Sequence, residues 1–521
     1  MNRETARVVR FRPRVPRLSV RERFHVVVIG GGFSGTAFVS QLVRHADSRF
    51  RITLLNADER LERGLAYASI NEIHLLNARA RDMSLYADEP DDFVLWLKQH
   101  GLQNSAGDFV SRKRFGDYLE DSLVETSLCA AQTDVPFTAM TGKRVVDLMA
   151  GGRGFVVALE DASTLQCDAV VLATGHPPPR DLLSPWLPEG HERWIRDPWH
   201  NSLDADKNDR ILMVGSGLTM VDKVLELDAQ RHEGPIHVLS PRGLLPRAHR
   251  RRAEPLPAEL RESLVRALSR ATTPRQMLRA TRRAIAAAES RGLSWHAVID
   301  SMRPLVPDMW SAMPLVARRR FLNHLRPWWD VHRHRMAPVS SVTIAAMMRR
   351  GRLDIRAGEV CYAGSDGSRL LIAQSLRGEI GTCFERYDWV VNCTGHDGGG
   401  SDRPLDRQLI RRGLVAEDCL GLGYTTTDDG EAMTVDGPVR NLYLLGQARR
   451  PQEWESTAVP ELRKQAVKIA TALIARVNNE TGAVDHGPSP SNVRNGVNNS
   501  RSRMSDRQGV RSPDYHQSLK P

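Results

Sequence analysis

Two glycine runs are the residues best suited to chemistry in this 521-residue sequence. The first, Gly30-Gly31-Gly32-Phe33-Ser34-Gly35, is a complete G-x-G-x-x-G. Gly30 permits a tight turn, Gly32 lets the main chain approach a pyrophosphate, and Gly35 lets the following helix pack closely on the preceding strand. Phe33 and Ser34 lie within the motif, just before a helix start whose unpaired N–H groups and partial positive charge suit phosphate. The second run, Gly215-Ser216-Gly217-Leu218-Thr219-Met220, has Met220 in place of the third glycine, which predicts a helix packed less closely. Each pattern is that of a dinucleotide site. Two in one chain would let a flavin and a nicotinamide meet for hydride transfer, the chain supplying orientation and the cofactors the redox chemistry.

Other residues extend these sites. Asn56 follows the second strand, where an acidic residue would normally accept from a ribose hydroxyl. Its amide oxygen could accept the same bonds, or Asp58 or Glu59 could substitute. Arg242, in Ser240-Pro241-Arg242 with Arg247 and His249 nearby, suits an adenosine 2′-phosphate and favours NADPH over NADH. A solvated basic loop is the competing reading. Thr174-Gly175 and Thr394-Gly395 end two apolar strands, and their small residues let main chain approach a cofactor. The six cysteines include no C-x-x-C pair, which argues against a redox disulfide or metal knuckle and for the reducing cytosol.

The elements that must position these residues are legible. Phe24–Ile29 is a continuously apolar strand, a helix follows from about Thr36 to His45, and Ile52–Leu55 completes a βαβ unit. Further strands are expected at Ala169–Leu172, Ile211–Val214, Ile236–Leu239, Trp389–Asn392 and Asn441–Leu445, with a closing helix from about Glu461 to Arg476. The fold class is α/β, with two Rossmann-like dinucleotide-binding domains and an amphipathic helical insertion at about 256–336. The expected layout is a flavin domain in two parts, 24–205 and 376–476, around a nicotinamide domain, 206–375. Basic disordered tails occupy 1–23 and 477–521.

Most of the net charge of +11 lies in those tails: before Phe24, eight Arg face two Glu. No recognition module accompanies it, so no specific nucleic-acid partner is expected. No apolar run approaches the roughly 18–20 residues that cross a bilayer, and a cytoplasmic protein is expected. Trp328-Trp329-Asp330 and the following His332, Arg333, His334 and Arg335 either line a cleft or stitch the insertion to the core, the latter being favoured.

Five segments together carry a resemblance: Arg63-Gly64-Leu65-Ala66-Tyr67, His74-Leu75-Leu76-Asn77, Gly217-Leu218-Thr219-Met220-Val221-Asp222, His332-Arg333-His334-Arg335-Met336, and Trp454 through Arg463. From about Phe24 to Arg476 the chain resembles a bacterial FAD/NAD(P)-binding protein family. That family is similar to the flavin-containing and N-hydroxylating monooxygenases. The resemblance implies bound FAD reduced by NAD(P)H, hydride passing to flavin N5, and the reduced flavin oxygenating a small nucleophilic substrate. It places Asn77 at the flavin edge as the candidate catalytic residue, followed by Met83. It also assigns Gly446, Gln447, Thr457 and Ala458 to the closing part of the flavin site, Gln447 standing where relatives carry Asp. Asn56, Met220 and Gln447 motivate an alternative, a nucleotide-binding sensor or assembly flavoprotein without turnover. A reductase serving a protein partner is a third reading.

Overall fold

The computed structural model describes residues 23–61, 63–152, 154–395 and 403–482. Most of the two expected tails lies outside these residues. The chain is α/β, built on two mostly parallel sheets and a small antiparallel one. In the first sheet Ala169–Leu172, Phe24–Ile29, Phe50–Leu55 and Phe137–Met140 run side by side in parallel, and Gly437–Leu444 joins next to Ala169–Leu172. Val26, Val27 and Val28 are fully buried because helices and loops cover both faces, which is why that strand reads as unbroken apolar sequence. Phe33–His45 packs against it, starting three residues earlier than expected.

The second sheet repeats this plan. Ile211–Val214 lies between Ile236–Ser240 and Trp389–Asn392, all parallel. The helix Leu218–Ala229 follows its glycine turn. Val28 pairs with Val171 in the first sheet, and Met213 with Val391 in the second. In each half an antiparallel meander precedes the strand that ends in Thr-Gly. Val145–Gly151, Gly154–Leu159 and Thr164–Cys167 form a separate three-stranded sheet. Leu353–Ser365, Leu370–Leu376 and Cys383–Tyr387 extend the second one. Neither meander is legible in the sequence, because their strands are half-exposed and lack a long apolar run.

Hydrogen bonding corrects the expected boundaries. Trp194–Ile195 and Trp389–Asn392 both pair into the second sheet. The boundary at 205/206 therefore falls inside that sheet, and the one at 375/376 inside the strand Leu370–Leu376. Trp389–Asn392 pairs with Ile211–Val214, and Trp194–Ile195 pairs with Trp389–Asn392, so hydrogen bonding rather than distance along the chain decides where these strands belong. Leu405 and Leu409, just beyond the second Thr-Gly, are back in a core of the first sheet.

The insertion is helical as expected, from Ala258–Ser269 through Arg326–Arg333. Leu264 and Leu268 are buried while Arg261, Arg266 and Arg270 are exposed. A capping box of Thr273 and Gln276 starts its second helix. The closing helix is Val459–Gly482, longer than expected at both ends. Ile469, Leu473 and Val477 continue its buried stripe to one residue past Arg476, and the helix itself runs on to Gly482, which corrects that start of the tail. No described helix is long and apolar enough to cross a membrane.

Candidate dinucleotide sites

The two glycine runs fold into matching turns. Gly30 has φ +109° and Gly215 φ +105°. Each donates its N–H across the sheet, Gly30 to the Leu55 carbonyl at 2.8 Å and Gly215 to the Leu239 carbonyl at 2.7 Å. A Cβ on Gly30 would lie 2.2 Å from the Ala173 carbonyl oxygen, and one on Gly215 2.4 Å from that of Cys393. Each turn is therefore pressed against the strand ending in Thr-Gly, Thr174-Gly175 in the first half and Thr394-Gly395 in the second. Gly175 and Gly395 take positive φ, +64° and +74°.

Gly32 and Gly217 then cap the helices with almost identical torsions, φ −76°, ψ −169° and φ −81°, ψ −166°. The first intrahelical bonds reach back to these residues, from Thr36 and Val221 respectively. The N–H groups of Phe33, Ser34 and Gly35, and of Leu218 and Thr219, thus belong to free helix starts. Gly35 behaves as expected, since its Cβ would lie 1.9 Å from the Gly30 carbonyl oxygen. Met220 is fully buried in the second core, so that helix stands off far enough to take a side chain. Nothing lies within 4 Å of where a Gly217 Cβ would be, and beside Gly32 only Gly64 approaches. This leaves open cradles at both turns, fitting a pyrophosphate at each.

Residues from the end of the chain close the first cradle. The Gly446 Cβ position is 3.3 Å from Ser34 Oγ, and Gly446 N–H donates to Gln465 Oε1 at 3.0 Å. Gln447 Nε2 and Ser456 Oγ are buried without a hydrogen-bond partner among the described residues. Unpaired buried polar atoms of this kind suit a polar ligand. Thr457 and Ala458 immediately precede the closing helix, and Ala458 O accepts its first bonds, from Glu461 and Leu462. Arg403 donates to the Thr174 carbonyl at 2.8 Å, and Thr394 Oγ1 to Asn392 Oδ1 at 2.7 Å.

Asn56 is used differently from the expectation. Its Oδ1 accepts from Gly31 N–H at 3.0 Å, while Nδ2 donates to the carbonyls of Asp58 and Arg60 at 3.0 and 2.7 Å. Both ends of the amide shape the glycine turn, and a carboxylate would lack the two donors.

Asn77 is exposed, and its carbonyl accepts from His249 Nε2 at 3.0 Å. Met83 is buried in the first core. Arg242 reaches the Asn323 carbonyl at 3.0 Å, on the helical insertion, and Arg247 is exposed nearby. His249 turns instead toward the Asn77 loop. Burial, with Arg335 next to it, pushes its pKa down to about 3, so the ring is neutral and bound to the Asn77 loop.

The contacts that tie the five resembling segments into the fold are not legible in the sequence. His74 pairs with Glu226 at 3.0 Å and Arg112 with Asp222 at 2.8 Å, joining the two sheets' helices and loops. Glu455 takes Arg333 at 2.7 Å and Trp329 Nε1–H at 2.8 Å, and Arg303 forks onto Glu461. Trp310 stacks on Trp454, ring centroids 4.8 Å apart. The Trp-Arg cluster thus stitches the insertion to the closing segment, as favoured. The repeated Trp, His and charged residues within those segments were the available signal. All six cysteines are free, and among the described residues no three His, Cys, Asp or Glu side chains gather as a metal site.

Residues 27–177 match a family whose description is FAD-NAD(P)-binding. That range spans the first glycine turn, Asn56, Asn77 and the first Thr-Gly. Solved structures extend the likeness across most of the chain. Ornithine N-hydroxylase from Kutzneria sp. 744 aligns at TM-score 0.60 and 14% identity, covering 87% of this chain and all of its own. The chain has the fold of the N-hydroxylating flavin monooxygenases. L-lysine 6-monooxygenase from Pseudomonas syringae gives TM-score 0.56 at 18% identity, over 87% of this chain and 99% of that one. The FAD-bound cadaverine monooxygenase of Erwinia amylovora gives 0.57 at 13%, over 92% and 100%. No curated protein matches the chain in sequence.

Proposed function

We propose that the chain is an FAD-dependent, NAD(P)H-oxidising monooxygenase-like enzyme acting on a small molecule. One observation carries this: two turns of matching torsion, each open at its helix start and each backed by a Thr-Gly strand end, lie within one compact unit. The flavin domain comprises 24–175 and 403–477, and the coenzyme domain 176–395. The division follows sheet membership.

Gly30, Gly32, Phe33, Ser34 and Gly35 hold the FAD pyrophosphate, with Asn56 shaping the turn. Thr174, Gly175, Gly446, Gln447, Thr457 and Ala458 surround the rest of the flavin, and Met83 backs it. Gly215, Gly217, Leu218 and Thr219 hold the coenzyme pyrophosphate, flanked by Thr394 and Gly395. Arg242 offers its charge to the NADPH 2′-phosphate. Asn77 presents a carboxamide to the flavin edge. When bound, the flavin supplies hydride acceptance and oxygen activation. The protein's own part is to orient both rings and keep the chemistry within one chain.

The substrate class drawn from the ornithine, lysine and cadaverine enzymes is a small molecule with a nucleophilic amine. FAD-loaded protein with NADPH should consume oxygen, and a matching amine should raise NADPH oxidation while lowering peroxide release. NADPH-bleachable protein that consumes no oxygen but passes electrons to an added protein would favour a reductase instead. Bound flavin that NADPH leaves oxidised would favour a sensor.

A further inference from the structure

Asn77 is the exposed residue of a bend held by main-chain bonds, Leu76 N–H to the Val110 carbonyl at 2.8 Å and Ala80 N–H to that of Asp108 at 3.0 Å. Two further ties reach it from the coenzyme half. His249 donates Nε2–H to the Asn77 carbonyl at 3.0 Å, which fixes the tautomer because a carbonyl only accepts. Arg79, two residues on, reaches the opposite way, to the carbonyls of Arg250 at 2.6 Å and Arg251 at 3.2 Å.

The facing segment is itself pinned. His249 N–H donates to the Met336 carbonyl at 2.9 Å, Met336 N–H to that of Arg247 at 2.9 Å, and His296 Nε2 to that of Ala248 at 2.9 Å. It is also continuous with the second glycine turn, where Ser216 Oγ bonds Ser240 Oγ at 2.8 Å and the Leu244 carbonyl at 2.6 Å. Segment 240–251 is thus tied by side-chain hydrogen bonds to the second cradle, at Ser216, and to the residue assigned to the flavin edge, at His249.

We propose that His249 and Arg79 form a two-rung clamp through which segment 240–251, beside the coenzyme turn, positions Asn77; this rests on the reading of Asn77 as a flavin-edge group. Both are positioning residues, and coenzyme occupancy of the second turn tightens the Asn77 loop through them. The groups around His249, namely Phe109, Arg79, Arg335 and His296, are apolar or basic and keep its ring neutral and donating.

The test uses the full-length, FAD-loaded protein and anaerobic single-turnover reduction by NADPH. His249→Ala should slow flavin reduction by about tenfold, with FAD and NADPH affinities changed by less than about twofold. His249→Gln, whose Nε2 can reach the same carbonyl, should restore most of the rate. Hydrogen–deuterium exchange should slow over residues 75–80 when NADPH binds the wild type, and not in His249→Ala. Asn77→Ala combined with His249→Ala should be no slower than Asn77→Ala alone. A wild-type rate in His249→Ala, losses that multiply in the double variant, or wild-type exchange at 75–80 indifferent to NADPH would overturn the clamp. Should the alanine variant not fold, the wild-type exchange result decides alone. Protein that takes up no FAD fails before any variant is made, and the clamp falls with the flavin reading.

Discussion

Gly30 and Gly217 sit at similar turns yet differ in what they tolerate. Gly30→Ala combines a left-handed φ of +109° with a Cβ 2.2 Å from a carbonyl oxygen. The expected cost is about 3 kcal/mol or more, with loss of bound flavin, measured by urea unfolding and visible absorbance. Gly217→Ala keeps an ordinary torsion and meets no protein atom. Its Tm should stay unchanged while the Kd for NADPH rises about tenfold, roughly 1.4 kcal/mol, because the methyl occupies the cradle. An unchanged Kd would remove Gly217 from the coenzyme site. His249 gives a pH prediction. Its folded pKa, about 3, lies below its usual 6.5, so the unfolded chain binds the extra proton first. Stability from this residue is complete above pH 6.5 and is lost progressively as pH falls toward 3. Tm should therefore fall on acidification from pH 7 to pH 5, and His249→Gln should flatten part of that slope.

Between elements, the decisive contacts are the buried ion pairs that dock the helical insertion. Arg333 and Glu455 have side chains only 13% and 6% exposed, and Trp329 shares the same carboxylate. Glu455→Ala leaves Arg333 with its main partner gone and should destabilise the protein by about 3 kcal/mol in chemical denaturation, with Glu455→Gln milder. A change within error would mean the insertion docks through its other contacts, Trp310 on Trp454 and Arg303 on Glu461. The sequence made the strands carrying the glycine turns and the Thr-Gly ends legible, because buried parallel strands have no polar face to interrupt them. The meanders, whose one solvated face dilutes the apolar signal, escaped, and with them the true extent of the second sheet. Asn56 shows the same limit at the site. Its identity marked a departure from the usual acid, but its two donations to Asp58 and Arg60 exist only once the loop is folded.

Across the whole molecule, one half is a structural echo of the other. Strand, glycine turn, helix, strand, meander and Thr-Gly strand end recur in the same order in both. That repetition, rather than either motif, is what links the chain to a two-cofactor redox enzyme. The His74–Glu226 contact and the Arg112–Asp222 ion pair join the halves, so the two cradles are held within one body. Purified protein titrated with FAD and then, without oxygen, with NADPH tests this most directly. The expected result is one FAD per chain and stoichiometric bleaching of its visible band by NADPH, weakened in Gly217→Ala. Protein that stays colourless after incubation with excess FAD, or whose bound flavin NADPH cannot reduce, would contradict it.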